Sequence, residues 1–190
     1  MLNWKSRGRD APCSVNPRPL EFPRYMNERK PIHAAVLTIS DTRSPESDAS
    51  GDRLAKLLDD IEFLVVDRSI VTDDTEEIRS KLAELVEKDG VDLVLTTGGT
   101  GFAPRDNTPE ATRAVIQREA PGITEAMRRE SSMKTPMSML SRGIAGIAST
   151  TLIINLPGSP RAVEECFETI RPVLGHAVDL LRGETGHSGR

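Results

Sequence analysis

Aromatic side chains make up only 3% of this 190-residue chain: one Trp, one Tyr and four Phe. Trp4, Phe22 and Tyr25 fall before residue 31, which leaves Phe63, Phe102 and Phe167 for everything that follows. A core built there must be aliphatic, and the aromatic platforms on which single-stranded nucleic acids stack are excluded. Two cysteines, Cys13 and Cys166, cannot form a disulfide framework or a zinc site. The three histidines, His33, His176 and His187, lack metal-ligand spacing. No window approaches 18 consecutive apolar residues and the N-terminus has no apolar signal core, so neither a membrane span nor secretion is expected. The expected compartment is the reducing cytoplasm.

Charge is unevenly spread. The net charge is −4, yet residues 1–30 carry seven bases against Asp10, Glu21 and Glu28. The remainder holds 18 of the 25 bases and 26 of the 29 acids, a balance of −8. So acidic a body does not coat a polyphosphate backbone, and no nucleic-acid partner is expected.

Residues 1–31 contain Pro12, Pro17, Pro19, Pro23 and Pro31 with no apolar period, and they read as a basic, mobile N-terminal arm. Residues 32–183 read as one domain, and 184–190 as a tail. Within the domain, Ile32 to Ser40, Phe63 to Val71 and Val91 to Thr96 are apolar runs of strand length. Between them lie helical patterns, Leu54, Leu57 and Leu58 after a cap at Ser50, and then Ile78, Leu82, Leu85 and Val86. Thr108-Pro109-Glu110 opens a further helix, with Thr108 as the cap. Gly143 to Ala148 and Thr151 to Leu156 form a hairpin. A last helix starts at Ser159-Pro160 and is kinked or interrupted at Pro172. Alternating strands and helices predict an α/β fold, a three-layer α/β/α sandwich with a mostly parallel central sheet and an added β-hairpin.

In such sheets ligands bind beyond the carboxyl ends of the strands. Three loops are thereby selected: Ser40-Asp41, Thr72-Asp73-Asp74, and Thr97-Gly98-Gly99-Thr100-Gly101. Glycines let backbone N–H groups approach an anion. The spacing fits neither a P-loop nor a dinucleotide fingerprint, because the lysine is missing and Pro104 stands at the third glycine position. Asp106 follows the glycines on the same loop, placed to hold a divalent cation against phosphate. Either Asp73 or Asp74 suffices to cap the next helix, which frees the other for a ligand. Ser141-Arg142 is a candidate anion contact, and Pro157-Gly158-Ser159 a helix start.

Taken together, Thr96-Thr97-Gly98-Gly99-Thr100-Gly101, Arg105-Asp106 and Thr108-Pro109-Glu110 resemble the MogA/MoaB family of molybdenum-cofactor biosynthesis, whose domain also occurs in gephyrin. Thr38-Ile39-Ser40-Asp41, Ser50-Gly51, Asp73, Leu140-Ser141-Arg142 and Leu156 to Pro160 extend the likeness in unbroken order over residues 33–182. The family often has Pro where this chain has Thr72. The resemblance implies a molybdopterin adenylyltransferase: molybdopterin and Mg-ATP give adenylylated molybdopterin and pyrophosphate. It implies Asp73 and Asp106 as the catalytic and Mg²⁺-binding acids. Ser40, Asp41, Ser50, Gly51, Thr97, Gly98, Gly99, Thr100, Gly101, Thr108, Pro109, Glu110, Ser141, Arg142, Pro157, Gly158 and Ser159 would then line the substrate pocket. ATP as co-substrate, a homotrimer and contact with molybdenum-insertion proteins follow from the same resemblance. The alternative is a non-catalytic molybdopterin-binding or scaffold module of the same fold, for which the acidic pair would not be needed.

Overall fold

A computed structural model describes residues 30–184. The arm expected over residues 1–31 therefore lies almost wholly outside the described residues, as does 185–190 of the tail. The chain divides into Met1–Lys30 and Pro31–Arg190, and the fold is that of the second unit.

Six strands form one sheet: β1 (His33–Ile39), β2 (Leu64–Val71), β3 (Leu93–Thr97), β4 (Arg118–Glu119), β5 (Ala145–Ala148) and β6 (Thr151–Leu156), in the order β2-β1-β3-β6-β5-β4. The first four in that order are parallel, and β5 runs antiparallel to both β6 and β4. The predicted hairpin is β5–β6, turning at Ser149, which has φ +53°. The edge strand β4 has only two residues, too few for any period to show in sequence.

The alternation of side chains along buried strands builds two cores. Ala34, Val36, Leu93, Leu95, Leu152 and Ile154 face α1 (Ala49–Asp59), α4 (Pro121–Ser132) and α5 (Pro160–Leu181). Ala35, Leu37, Val94 and Ile153 face α2 (Thr75–Glu87) and the short α3 (Thr108–Arg113). The sandwich is thus three-layered, and Phe167 is the one aromatic ring fully buried in it among the described residues. No helix of the described residues is long and apolar enough to cross a membrane.

Three details depart from the sequence expectation. Helix α1 is capped by Asp48, which accepts from the Gly51 N–H at 3.0 Å, whereas Ser50 lies inside the helix. Asp48 is buried and held by Thr38 Oγ1 at 2.7 Å and by Arg68, tertiary partners that no local pattern reveals. Thr108 is the first residue of α3, not its cap, because its hydroxyl donates to the Gly98 carbonyl at 2.9 Å. Pro172 neither breaks nor ends α5, which runs through it. Pro172 and Glu168, whose carbonyl loses its partner, are both on the solvent side, while Ile170, Leu174 and Val178 keep the opposite face buried.

The connection from β1 leads to α1 on one face, and that from β3 leads to α3 on the other. The chain therefore parts at the carboxyl ends of β1 and β3, where open sheets of this type form their crevice.

Candidate functional site

The loop after β3 lies in that crevice. Gly98 and Gly99 both have positive φ, +106° and +62°. A Cβ on Gly98 would stand 2.2 Å from the Ile39 carbonyl oxygen, and one on Gly99 2.3 Å from Thr108 Oγ1. Neither position admits a side chain, so the loop lies flat on the ends of β1 and α3. Among the described residues, no group accepts a hydrogen bond from the N–H of Gly99, Thr100 or Gly101. Consecutive unpaired N–H groups of this kind form a concave anion site.

Arg142 fixes the loop from behind. Its Nε donates to the Gly101 carbonyl at 2.7 Å, its Nη2 to the Asp106 carbonyl, its Nη1 to Glu110, and its backbone N–H to the Thr100 carbonyl at 2.9 Å. Arg142 and Glu110 are thus engaged in bracing the cradle. Thr97 ties the loop to the end of β6 through a 2.8 Å bond to the Pro157 carbonyl, and Gly158 approaches Gly98 closely. Arg43, which the sequence did not single out, bonds Ser50 and reaches the Gly158 carbonyl at 2.8 Å. Ser50 and Gly51 contact Asp48, and Ser159 caps α5 by accepting from Ala162 N–H at 3.2 Å. Pro109 is buried in the first turn of α3.

Asp73 and Asp106 come to the glycine loop from different elements. Asp74 caps α2, accepting from Glu76 and Glu77 N–H at 3.0 Å, so Asp73 is released from that duty. Asp73 Oδ2 accepts from the Asp41 N–H at 2.9 Å, and Asp41 Oδ1 accepts from the Asp73 N–H at 3.0 Å. Ser40 precedes this pair, its hydroxyl accepting from the Thr42 N–H at 3.3 Å. Asp73 Oδ1 points to the loop, 3.4 Å from where a Gly99 Cβ would be. Asp106 Oδ2 accepts from the Ala103 N–H at 2.7 Å; its other oxygen has no partner among the described residues.

Electrostatics separate the two aspartates at the strand ends. Arg105 grips both oxygens of Asp41, at 2.6 and 2.8 Å, and this bidentate bond holds the Asp41 carboxyl below its ordinary range. The Asp73 carboxyl is pushed upward, first by burial and then by the negative charge of Asp41 and Asp106. Arg105 offsets part of that charge, and a cation bound beside Asp73 would favour its ionised form.

On the other side of the loop, a cavity of about 500 Å³ extends between β6, α4, α5 and the 3-10 turn Pro136–Leu140. Gly99, Thr100, Gly101, Asp106, Ser141, Pro157, Gly158 and Ser159 line its mouth. Its other walls include Thr124, Met127, Arg128, Ser131, Glu165 and Cys166, which sequence reasoning missed because on α4 and α5 they look like ordinary amphipathic positions. A more open depression of about 600 Å³ runs along the outer face of α2, away from every strand-end loop.

A three-layer α/β sheet with unpaired N–H groups at its switch point, acids on one side and a cavity on the other, places the chain among α/β proteins with a candidate ligand site at the strand ends. The chain belongs to the family described as the probable molybdopterin binding domain, which matches residues 35–176. It is 42% identical over 156 residues to a molybdopterin adenylyltransferase of Helicobacter pylori, covering 80% of this chain and 89% of that one. It is 47% identical over 153 residues to the Drosophila melanogaster molybdenum cofactor synthesis protein cinnamon, matching 79% of this chain but 26% of that longer protein. The crystal structure of the molybdopterin biosynthesis enzyme MoaB from Thermus thermophilus superposes with a TM-score of 0.74 at 43% identity, covering 80% of this chain and 97% of that chain.

Proposed function

We propose that this protein adenylylates molybdopterin in molybdenum-cofactor biosynthesis, consuming ATP and releasing pyrophosphate. One observation carries the reading: three unpaired backbone N–H groups, of Gly99, Thr100 and Gly101, stand between Asp73 and Asp106 at the mouth of a cavity large enough for fused rings. The 42% identity to a protein named for this activity supports it.

In this reaction an oxygen of the molybdopterin phosphate attacks the α-phosphorus of ATP. A new oxygen–phosphorus bond forms, the bond to the β-phosphate oxygen breaks, and pyrophosphate leaves with the electron pair. The nucleophile is already an anion, so no strong base is required. The protein's task is to bring two anions together and to offset their charge. Gly99 to Gly101 donate to phosphate oxygens, and Arg142 keeps their N–H groups aimed. Ser141, whose hydroxyl has no partner among the described residues, is available to the phosphate at the cavity mouth. Asp41, fixed by Arg105, holds Asp73 in place through the paired backbone bonds.

Mg²⁺ suits the donor set. It takes one or two carboxylates and completes its sphere with phosphate oxygens and water, and Asp73 and Asp106 each keep one oxygen uncommitted beside the loop. Among the described residues there is no cluster of three or more His, Cys, Asp or Glu that would cage a metal alone. When bound, the ion would offset charge on the nucleotide phosphates.

Purified protein given molybdopterin, ATP and Mg²⁺ should form adenylylated molybdopterin, detected by chromatography. Asp106→Ala should lose turnover while still binding molybdopterin. Wild-type protein that binds molybdopterin without forming product would identify a carrier instead of an enzyme. The reading extends to a cytoplasmic homotrimer that delivers its product to molybdenum-insertion proteins. Sedimentation velocity tests the trimer, and a monomer would remove it.

A further inference from the structure

Most polar groups in the cavity are already satisfied by protein. Asn155 bonds Thr96 and Thr112 through its amide and accepts from the Ile144 N–H. Arg128 is engaged with the Gly143 carbonyl and with Thr124, and Thr124 bonds Pro121. Ser138 bonds the Thr135 carbonyl. A ligand gains little from groups whose partners it would have to displace.

Two groups that line the cavity are different. Glu165 has its ion-pair partners on one oxygen, with Arg161 Nε 3.1 Å and Lys134 Nζ 3.8 Å from Oε1. Its Oε2 accepts no hydrogen bond among the described residues, and its side chain is 19% exposed. The Ser131 hydroxyl has only the Cys166 sulfur, at 3.8 Å. Both face the cavity, against the apolar wall of Met127 and Cys166. Glu165 lies six residues along α5 from its cap Ser159, roughly 9 Å at the helical rise. The cavity is therefore lined by N–H donors for an anion at the glycine loop and by an acceptor for N–H groups on α5. Among the described residues no aromatic ring lines it, so a planar ligand is identified there by its edge.

We propose that Glu165, assisted by Ser131, is the specificity residue that reads the ring end of the substrate, accepting from the 2-amino and N3–H groups of a pterin. This rests on the reading of the site as a molybdopterin site and adds to it which ring edge is recognised and by what. A carboxylate accepts two parallel N–H donors well. A ring with a carbonyl in place of the amino group would instead set oxygen against oxygen.

The test uses the full-length protein. Glu165→Gln should raise the KM for molybdopterin roughly 10- to 100-fold and leave that for ATP within twofold. In competition against molybdopterin, wild-type protein should prefer 6-hydroxymethylpterin to 6-hydroxymethyllumazine, which carries oxygen at position 2. Glu165→Gln should abolish or reverse that preference, because its amide can donate to the oxygen. Equal competition by the two rings in wild type would overturn the proposal without any variant. A raised molybdopterin KM with the ring preference retained would overturn it too, assigning Glu165 to cavity shape. Wild-type protein that adenylylates molybdopterin but shows no ring preference would leave the enzymatic reading standing and remove this one. Absence of any molybdopterin binding would remove both.

Discussion

Gly98→Ala tests the geometry of the cradle. The residue has φ +106°, and an added Cβ would sit 2.2 Å from the Ile39 carbonyl oxygen where about 3.0 Å is the closest approach observed. That carbonyl ends β1, which is clamped between β2 and β3, so the loop rather than the strand must yield, by about 0.8 Å. Positive φ costs an L-residue about 1–2 kcal/mol, and forcing a methyl group into packed backbone about 1–3 kcal/mol more. The sum, about 2–5 kcal/mol, should lower Tm by about 10 °C in a chain of this size. A shift approaching 1 Å at the reacting groups should cut adenylylation by about 10²-fold. Gly122→Ala is the matched control: it lies in the first turn of α4 with nothing within 4 Å of its added Cβ. Alanine there should raise stability by about 0.5–1 kcal/mol and leave turnover unchanged. Thermal unfolding by circular dichroism and product chromatography read both variants. If Gly98→Ala melts with wild type and turns over normally, the close packing of the loop on β1 is wrong.

Three further outcomes follow from the same network. Asp73→Asn should reduce adenylylation by about 10²-fold yet melt at or above wild type at neutral pH, because burial and like charge oppose its ionised form; a marked fall in Tm would make Asp73 a structural acid. Asp48 is the converse case, since its hydrogen bonds outweigh burial and hold its carboxyl below the ordinary 3.8. Its stabilisation is therefore complete above that pH and is lost as pH falls through the folded value. Asp48→Asn should lose about 1–3 kcal/mol at pH 7 and show a shallower acid limb in a urea titration against pH; an unchanged limb would refute this. Arg142→Lys keeps the charge but cannot serve the carbonyls of Gly101 and Asp106 and the Glu110 carboxylate together. It should weaken turnover at least about tenfold with little change in overall charge, and a fully active lysine variant would show that the brace is not needed.

The layers and most strands were legible because burial on both faces writes continuous apolar runs, and β1, β3 and β6 have almost no exposed residue. The glycine loop and its two acids were legible because strand ends concentrate ligands in this class of sheet. The freedom of Asp73 was predicted only as one of two choices, and it took the cap bonds of Asp74 to decide between them. What stayed hidden was tertiary. Asp48 displaced Ser50 as cap through Thr38 and Arg68, and Thr108 gave up capping for the Gly98 carbonyl. The helical wall of the cavity was invisible for the same reason: Ser131 and Glu165 sit 34 positions apart on two helices that meet only in the fold. The interruption allowed for at Pro172 does not occur, because the helix rule weighs the lost backbone bond and not the buried face that holds the turn.

The scarcity of rings in the core also has an optical side. From Pro31 onward the chain contains neither indole nor phenol, only Phe63, Phe102 and the buried Phe167. Its indole and phenol emission therefore originates from Trp4 and Tyr25, which precede the unit Pro31–Arg190 in sequence. Among the described residues no tryptophan or tyrosine lines the cavity between α4 and α5 in which the proposed pterin would sit. The emission of the proposed ligand can thus be followed without any indole or phenol contributed by residues 31–190.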